Sequence, residues 1–215
     1  MNPAHDTDRF QQLWRRCLLD QAIDNSTIIH QYLIESYSET QRVYHTLHHI
    51  QHCLSLFDKI NSELQNPDAV ELAIWFHDLV YQPGAADNEQ LSADQFMEMT
   101  RGIFDAPLRS TVVELIMATL HCGTDIDNSD TKYMVDIDLS SFGLPWPEFL
   151  RDSNNIREEM GCLSDEVFYR KQIAFQRNLL DQPRFFKSDY FYDHYENQAR
   201  KNLTDYFDKL KQDNR

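Results

Sequence analysis

Histidines and carboxylates stand in this chain at spacings that suit metal coordination. His45, His48, His49 and His52 fall within "VYHTLHHIQHCLSLFDKI", residues 43–60, at the i, i+3, i+4 and i+7 positions that share one face of a helix. Further on, "ELAIWFHDLVY" sets His77 directly before Asp78 inside an apolar run, and "MVDIDLSSFG" places Asp136 and Asp138 in another. An unpartnered buried polar group costs roughly 2–7 kcal/mol, and a charge costs more. A divalent ion would partner these groups together, because imidazole nitrogen with carboxylate oxygen suits a transition metal that keeps positions open for water. Neighbouring residues on a helix diverge by about 100°, so His77 and Asp78 reach one ion only where the helix passes close to it. Cys17, Cys53, Cys122 and Cys162 are scattered with no C-x-x-C pair, so a structural zinc site built from them is not expected.

The elements that must position these groups read as helices. Only 5 glycines and 7 prolines punctuate 215 residues, which favours long helices joined by short loops. The pattern predicts helices over about 8–20, 26–38, 43–60, 66–81, 88–101, 106–122, 147–160, 164–181 and 191–212. Asn66 and Pro67 give the fourth a start signal, and Asp87 with Gln90 resembles a capping box for the fifth. "GTDIDNSDTKYM" reads as a polar loop, and "VDIDLSSFGLPWP" as an apolar stretch too short to assign. The expectation is an all-α fold of about nine helices in one domain over 1–215, with core motifs in 42–143 and C-terminal helices in 147–212. Trp75, Phe76 and Tyr81 are expected in the core. The aromatic-rich "FYRKQIAFQRNLL" and "FFKSDYFYDHY" read as core or a homodimer surface ahead of a base-stacking platform.

Charge narrows the partners. The chain carries 20 basic and 35 acidic residues, a net charge of −15, which argues against duplex nucleic acid and against an anionic membrane as main partner. A small anionic substrate is still compatible, since a bound metal inverts the local field. No apolar run approaches ~18 residues, and the polar, acidic N-terminus is neither a signal nor a transit peptide. The cytoplasm is the expected compartment.

The order His … His-Asp … Asp resembles the HD-domain metal-dependent phosphohydrolases. "RVYHTLHHI", "WFHDLVY", "NEQLSA", "DIDLSSFG", "IREEM" and "ENQARKNL" are more closely similar to the branch called predicted metal-dependent HD-superfamily phosphohydrolases, over about residues 42–203. The resemblance implies an HD-like helical bundle with one or two divalent ions per chain (Mn, Fe, Co, Ni, Zn or Mg) held by His49, His77, Asp78 and Asp138. His48 competes with His49 for the first position. Asp138 is favoured over Asp136 because the related Ala-Asp-Leu-Ser segment of cyclic-nucleotide phosphodiesterases uses the aspartate before leucine. The implied reaction is hydrolysis of a phosphomonoester or phosphoanhydride of a nucleotide or similar small metabolite by a metal-activated water. Asp78 would also hold that water. His121 would act as an acid, a second-metal ligand or a phosphate donor, and Glu89 would orient substrate or water. Arg42, Lys132, Arg157 and Arg170 are the cationic candidates for phosphate contact. Two alternatives are a non-catalytic metal- or nucleotide-binding module, and a di-iron oxygenase recruiting His45, His52 and His121 as extra ligands.

Overall fold

The computed structural model describes residues 3–121 and 127–213. "AVELAIWF" is apolar nearly all round, and a helix of that kind must be surrounded. It forms the inner part of α4 (Pro67–Phe76), where every residue from Ala69 to Phe76 is buried. Around it lie α1 (Pro3–Cys17), α2 (Ser26–Ser36), α3 (Leu47–Ile60), α5 (Asn88–Met99), α6 (Ala106–Ala118) and α7 (Ser129–Leu139). The chain continues through α8 (Trp146–Glu159), α9 (Asp165–Leu180) and α10 (Asp189–Asp213), with 3₁₀ turns at Asn61–Glu63 and Ser140–Gly143. The fold is all-α: no strand occurs among the described residues, and no helix is long and apolar enough to cross a membrane.

α4 packs against α6, α3, α7 and α1, while α10 lies across the Ser140–Gly143 turn. Phe10, Trp14, Trp75, Phe76, Phe96 and Phe104 fill the centre of the first group, and Phe149, Phe185, Phe186 and Phe191 the centre of the second. Trp75 and Phe76 are wholly buried and Tyr81 nearly so, as expected.

Several elements differ from the sequence expectation: α1 spans Pro3–Cys17 and not 8–20, α6 ends at Ala118 and not near 122, and three further differences bear on the site. There are ten α-helices among the described residues instead of about nine, because 129–139 is helical. Asn128 caps α7 by accepting the Thr131 N–H at 3.1 Å. Asp130, in the stretch read as a polar loop, and Asp136, in the apolar stretch left unassigned, are both satisfied by distant groups. Asp130 accepts the N–H groups of Gln65 and Asn66, and Asp136 those of Lys187 and Ser188. α4 stops at Phe76 and not near Tyr81, leaving His77 as its C-cap. α3 begins at Leu47 behind an N-cap at Thr46, so His45 lies outside the helix and the four-histidine stripe is broken.

Candidate metal centre

His49 comes from the first turn of α3, His77 and Asp78 from the unwound end of α4, and Asp138 from the last turn of α7. The early end of α4 resolves the geometric problem of the adjacent pair: past the helix terminus, both side chains can turn toward one point. His77 Nδ1 lies 3.0 Å from Ile74 O. A carbonyl can only accept, so Nδ1 carries the proton and leaves the Nε2 lone pair for the centre.

His49 Nε2 lies 3.2 Å from His77 Nε2 and 3.2 Å from Asp138 Oδ1, and His77 Nε2 lies 3.5 Å from that oxygen. Ligands about 2.1 Å from one ion are separated by roughly 3.0 Å in cis-octahedral and 3.4 Å in tetrahedral geometry. The His49–His77–Asp138 trio therefore has the spacing of a metal-binding group. Asp78 Oδ2 adjoins it, 3.1 Å from His77 Nε2 and 3.6 Å from His49 Nε2. That oxygen is buried and receives no properly oriented hydrogen bond, which a cation would remedy. Cys53 Sγ is 3.7 Å from His49 Nε2 but does not join the His49–His77–Asp138 group, and burial raises its thiol pKa well above the usual range.

The electrostatics point the same way. Burial opposes charge on His77, but Asp78 and Asp138 outweigh it and raise the imidazole pKa well above its ordinary value. Burial likewise opposes charge on Asp138, and hydrogen bonds from His121, His49 and His77 outweigh it, holding the carboxyl far below the usual range. Burial also opposes charge on Asp78, and the nearby imidazoles of His77 and His45, acting chiefly through their charge, outweigh it and lower the carboxyl pKa. Two carboxylates facing two imidazoles favour positive charge between them, whether proton or metal.

The competing ligands separate cleanly. His48 is exposed whereas His49 is buried. Asp136 is consumed by the Ser188 hydroxyl and backbone N–H groups, and burial raises its pKa to about 6. Asp138 faces the centre. Of the extra ligands an oxygenase would need, His52 Nε2 is engaged by the Ser140 hydroxyl at 2.9 Å and His45 Nδ1 by Glu159 at 2.5 Å. His121 does reach the group, with Nε2 2.9 Å from Asp138 Oδ2. It does so from a left-handed backbone (φ +53°) just after α6, a conformation that non-glycine residues seldom adopt.

A cavity of about 230 Å³ adjoins this group through Asp78 and Asp138, and its lining includes Tyr44, His45, Glu89 and His121. Glu89 is half-buried there, and loss of solvent raises its pKa. The cationic candidates sit elsewhere. Arg42 has a wholly buried side chain whose guanidinium donates to Glu39 and to the carbonyls of His45, Asp78 and Leu79. Arg157 closes the α8–α9 loop through Asp165, Met160 O and Leu163 O. Lys132 lies near the start of α7, far along the helix from Asp138, and Arg170 is exposed on α9. None of the four lines the cavity.

Other contributors escaped the sequence reading. Glu159 Oε1 accepts the N–H groups of Val43, Tyr44 and His45 while Oε2 meets His45 Nδ1. Gln172 and Gln176 also line the cavity. The "IREEM" pattern contained Glu159, but nothing local marks its partners. The i, i+4 glutamines of α9 were visible only as part of an aromatic-rich helix.

No family model, no curated protein and no solved structure matches this chain.

Proposed function

We propose that this protein is a metal-dependent phosphohydrolase acting on a phosphomonoester or phosphoanhydride of a nucleotide or similar small metabolite. The observation that carries the reading is the convergence of His49, His77 and Asp138, with Asp78 adjoining, beside a cavity. The likeness of the motif order to the HD-domain enzymes supports it. His49, His77, Asp78 and Asp138 would hold one divalent ion, and the imidazole and carboxylate donors suit Mn, Fe, Co, Ni or Zn, or Mg with waters completing the shell. When bound, such an ion supplies Lewis acidity and a water of lowered pKa.

The chain's own groups supply the rest. His121 holds Asp138 through Oδ2, which leaves Oδ1 toward the histidines. Glu89 stands at the cavity wall with its pKa raised by burial, so it holds a proton more readily than an exposed carboxylate. His45, oriented by Glu159 and stacked on Tyr81 at 4.3 Å, presents its other nitrogen as a donor for a phosphoryl oxygen or leaving group.

Phosphate release from a nucleotide and phosphomonoester panel, with Mg, Mn, Co, Ni and Zn, tests the reading. Wild type is expected to turn over at least one substrate. Asp138→Ala and Asp78→Ala are expected to lose bound metal and about 10³-fold or more of activity while remaining helical by circular dichroism. Full metal content and activity in both variants would overturn the assignment.

A further inference from the structure

Gln172 and Gln176 stand four residues apart on α9, so they share a face, and both line the cavity beside the His/Asp group. Gln176 is wholly buried, yet neither its Oε1 nor its Nε2 meets a partner. Oε1 of Gln172 is buried and unpartnered as well. Buried amides are nearly always hydrogen-bonded. Asn202, equally buried, illustrates the rule by donating to Phe142 O and Leu144 O. Two unpaired glutamines facing one cavity point to a ligand that completes them.

The chemistry of that ligand follows from what surrounds the amides. A glutamine amide sets an acceptor beside a donor and matches a molecular edge that carries a donor beside an acceptor, as nucleobases do. Phe175, between the two glutamines, lines this cavity and an adjoining one of about 280 Å³ that shares Ile156 and Gln172. Its ring lies 6.0 Å from that of His121 and 6.5 Å from that of Phe142, which offers flat apolar surface to a planar heterocycle. Alone the first cavity is smaller than the roughly 300–1,000 Å³ usual for small-molecule sites; joined with its neighbour it falls within that range. Around the His/Asp group itself, none of the described residues lining the first cavity is lysine or arginine, while Asp78, Glu89 and Asp138 are acidic; Lys171 lines only the adjoining cavity. The walls next to the group repel a polyphosphate and leave charge neutralisation there to one cation, which serves one phosphate group.

We infer that the cavity is the site of a nucleoside monophosphate, with its base read by Gln172 and Gln176 beside Phe175 and its phosphate at the His/Asp group. The place of the phosphate rests on the phosphohydrolase reading, whereas the base subsite does not.

Calorimetric titration of metal-loaded protein with adenosine, guanosine, cytidine and uridine tests the subsite without any phosphate, and ribose 5-phosphate serves as the base-free probe. Wild type is expected to bind at least one nucleoside and to prefer its monophosphate to its triphosphate. Gln176→Leu is expected to weaken nucleoside binding by about tenfold or more, the scale of one or two lost hydrogen bonds, with metal content and ribose 5-phosphate affinity unchanged. Its melting temperature should hold or rise, since an unpaired amide has been removed. Gln172→Leu, at a half-buried position, should weaken the nucleoside less and decides the matter if Gln176→Leu does not fold. Failure of every nucleoside to bind, equal binding by wild type and the folded variants, or a tighter triphosphate would each overturn the inference. Hydrolysis of p-nitrophenyl phosphate separates this outcome from the function: turnover without nucleoside binding sinks the base subsite alone. Glutamine-dependent nucleoside binding without phosphate release from any substrate would uphold the subsite and sink the hydrolase.

Discussion

Arg42 directly precedes the "VYHTLHHI" motif, and a cation beside a phosphohydrolase motif reads naturally as a phosphate donor. Its position in the fold gives it different work. With no exposed side-chain surface, it donates to Asp78 O at 2.7 Å and Leu79 O at 2.8 Å, tying down the unwound turn that carries His77 and Asp78. The sequence displays the charge but not the consumption of its donors by carbonyls some 36 residues away, which is why this role was illegible. By contrast, His77–Asp78 was legible, because two polar residues in an apolar run demand a partner wherever the run is buried. Arg42→Met is expected to lower stability by about 2–4 kcal/mol, since it leaves several buried carbonyls unpaired. It should also weaken metal binding through the loosened turn. Arg42→Lys should recover little, because one ammonium does not reproduce the planar fork. Urea midpoints with a parallel metal titration check both effects, and wild-type behaviour in Arg42→Met would show that the turn holds itself.

α7 shows where pattern reading fails at the level of an element. Its first half read as a polar loop and its second as an apolar stretch too short to assign, but Asp130 and Asp136 are each buried against backbone N–H groups of a distant segment, at Gln65–Asn66 and Lys187–Ser188. Local periodicity carries no trace of partners that far away. The end of α4 was misread for a related reason: no glycine or proline falls between Phe76 and Tyr81, and the first punctuation is Pro83–Gly84. α9, capped by the Ser164 hydroxyl accepting the Val167 N–H, and α5 were legible to within a residue or two of each end, although the expected capping box of α5 does not form: Asp87 makes no side-chain capping bond and Gln90 donates to Asp94 instead. What fixes the Asp138 end of α7 is the turn that follows it. A Cβ added at Gly143 would stand 2.8 Å from Tyr195 Cβ and 3.0 Å from Tyr195 O, so α10 rests directly on the glycine. Gly143→Ala must therefore displace α10 backbone and is expected to cost about 1–3 kcal/mol. Thermal or urea unfolding measures it, and an unchanged midpoint would mean that α10 slides without penalty.

Across the whole molecule, the site depends on one carboxylate that joins distant parts of the chain. Glu159, at the end of α8, accepts the N–H groups of Val43, Tyr44 and His45 and meets the His45 ring, so a C-terminal helix fixes the approach to α3. On a chain with a net charge of −15, this carboxylate is stabilised by local donors and not by the general field. Burial works against its charge, but the hydrogen bond from His45 and the backbone N–H groups of Val43 and His45 outweigh burial and lower its pKa below the ordinary value. A carboxyl with a lowered folded value stabilises the protein at pH values above its unfolded pKa, about 4.3. That contribution is lost as pH falls through the folded value. Glu159→Gln keeps the shape but removes the charge, so it should be less stable than wild type by about 1–3 kcal/mol near pH 7. The gap should close as the solution is acidified from about pH 4.3 down through the lower folded value, where wild-type Glu159 takes up its proton. Urea unfolding of both proteins after EDTA treatment, so that metal release does not enter, gives the comparison at each pH. A gap that stays constant or widens on acidification would place the strength of this tie in packing and not in the charge of Glu159.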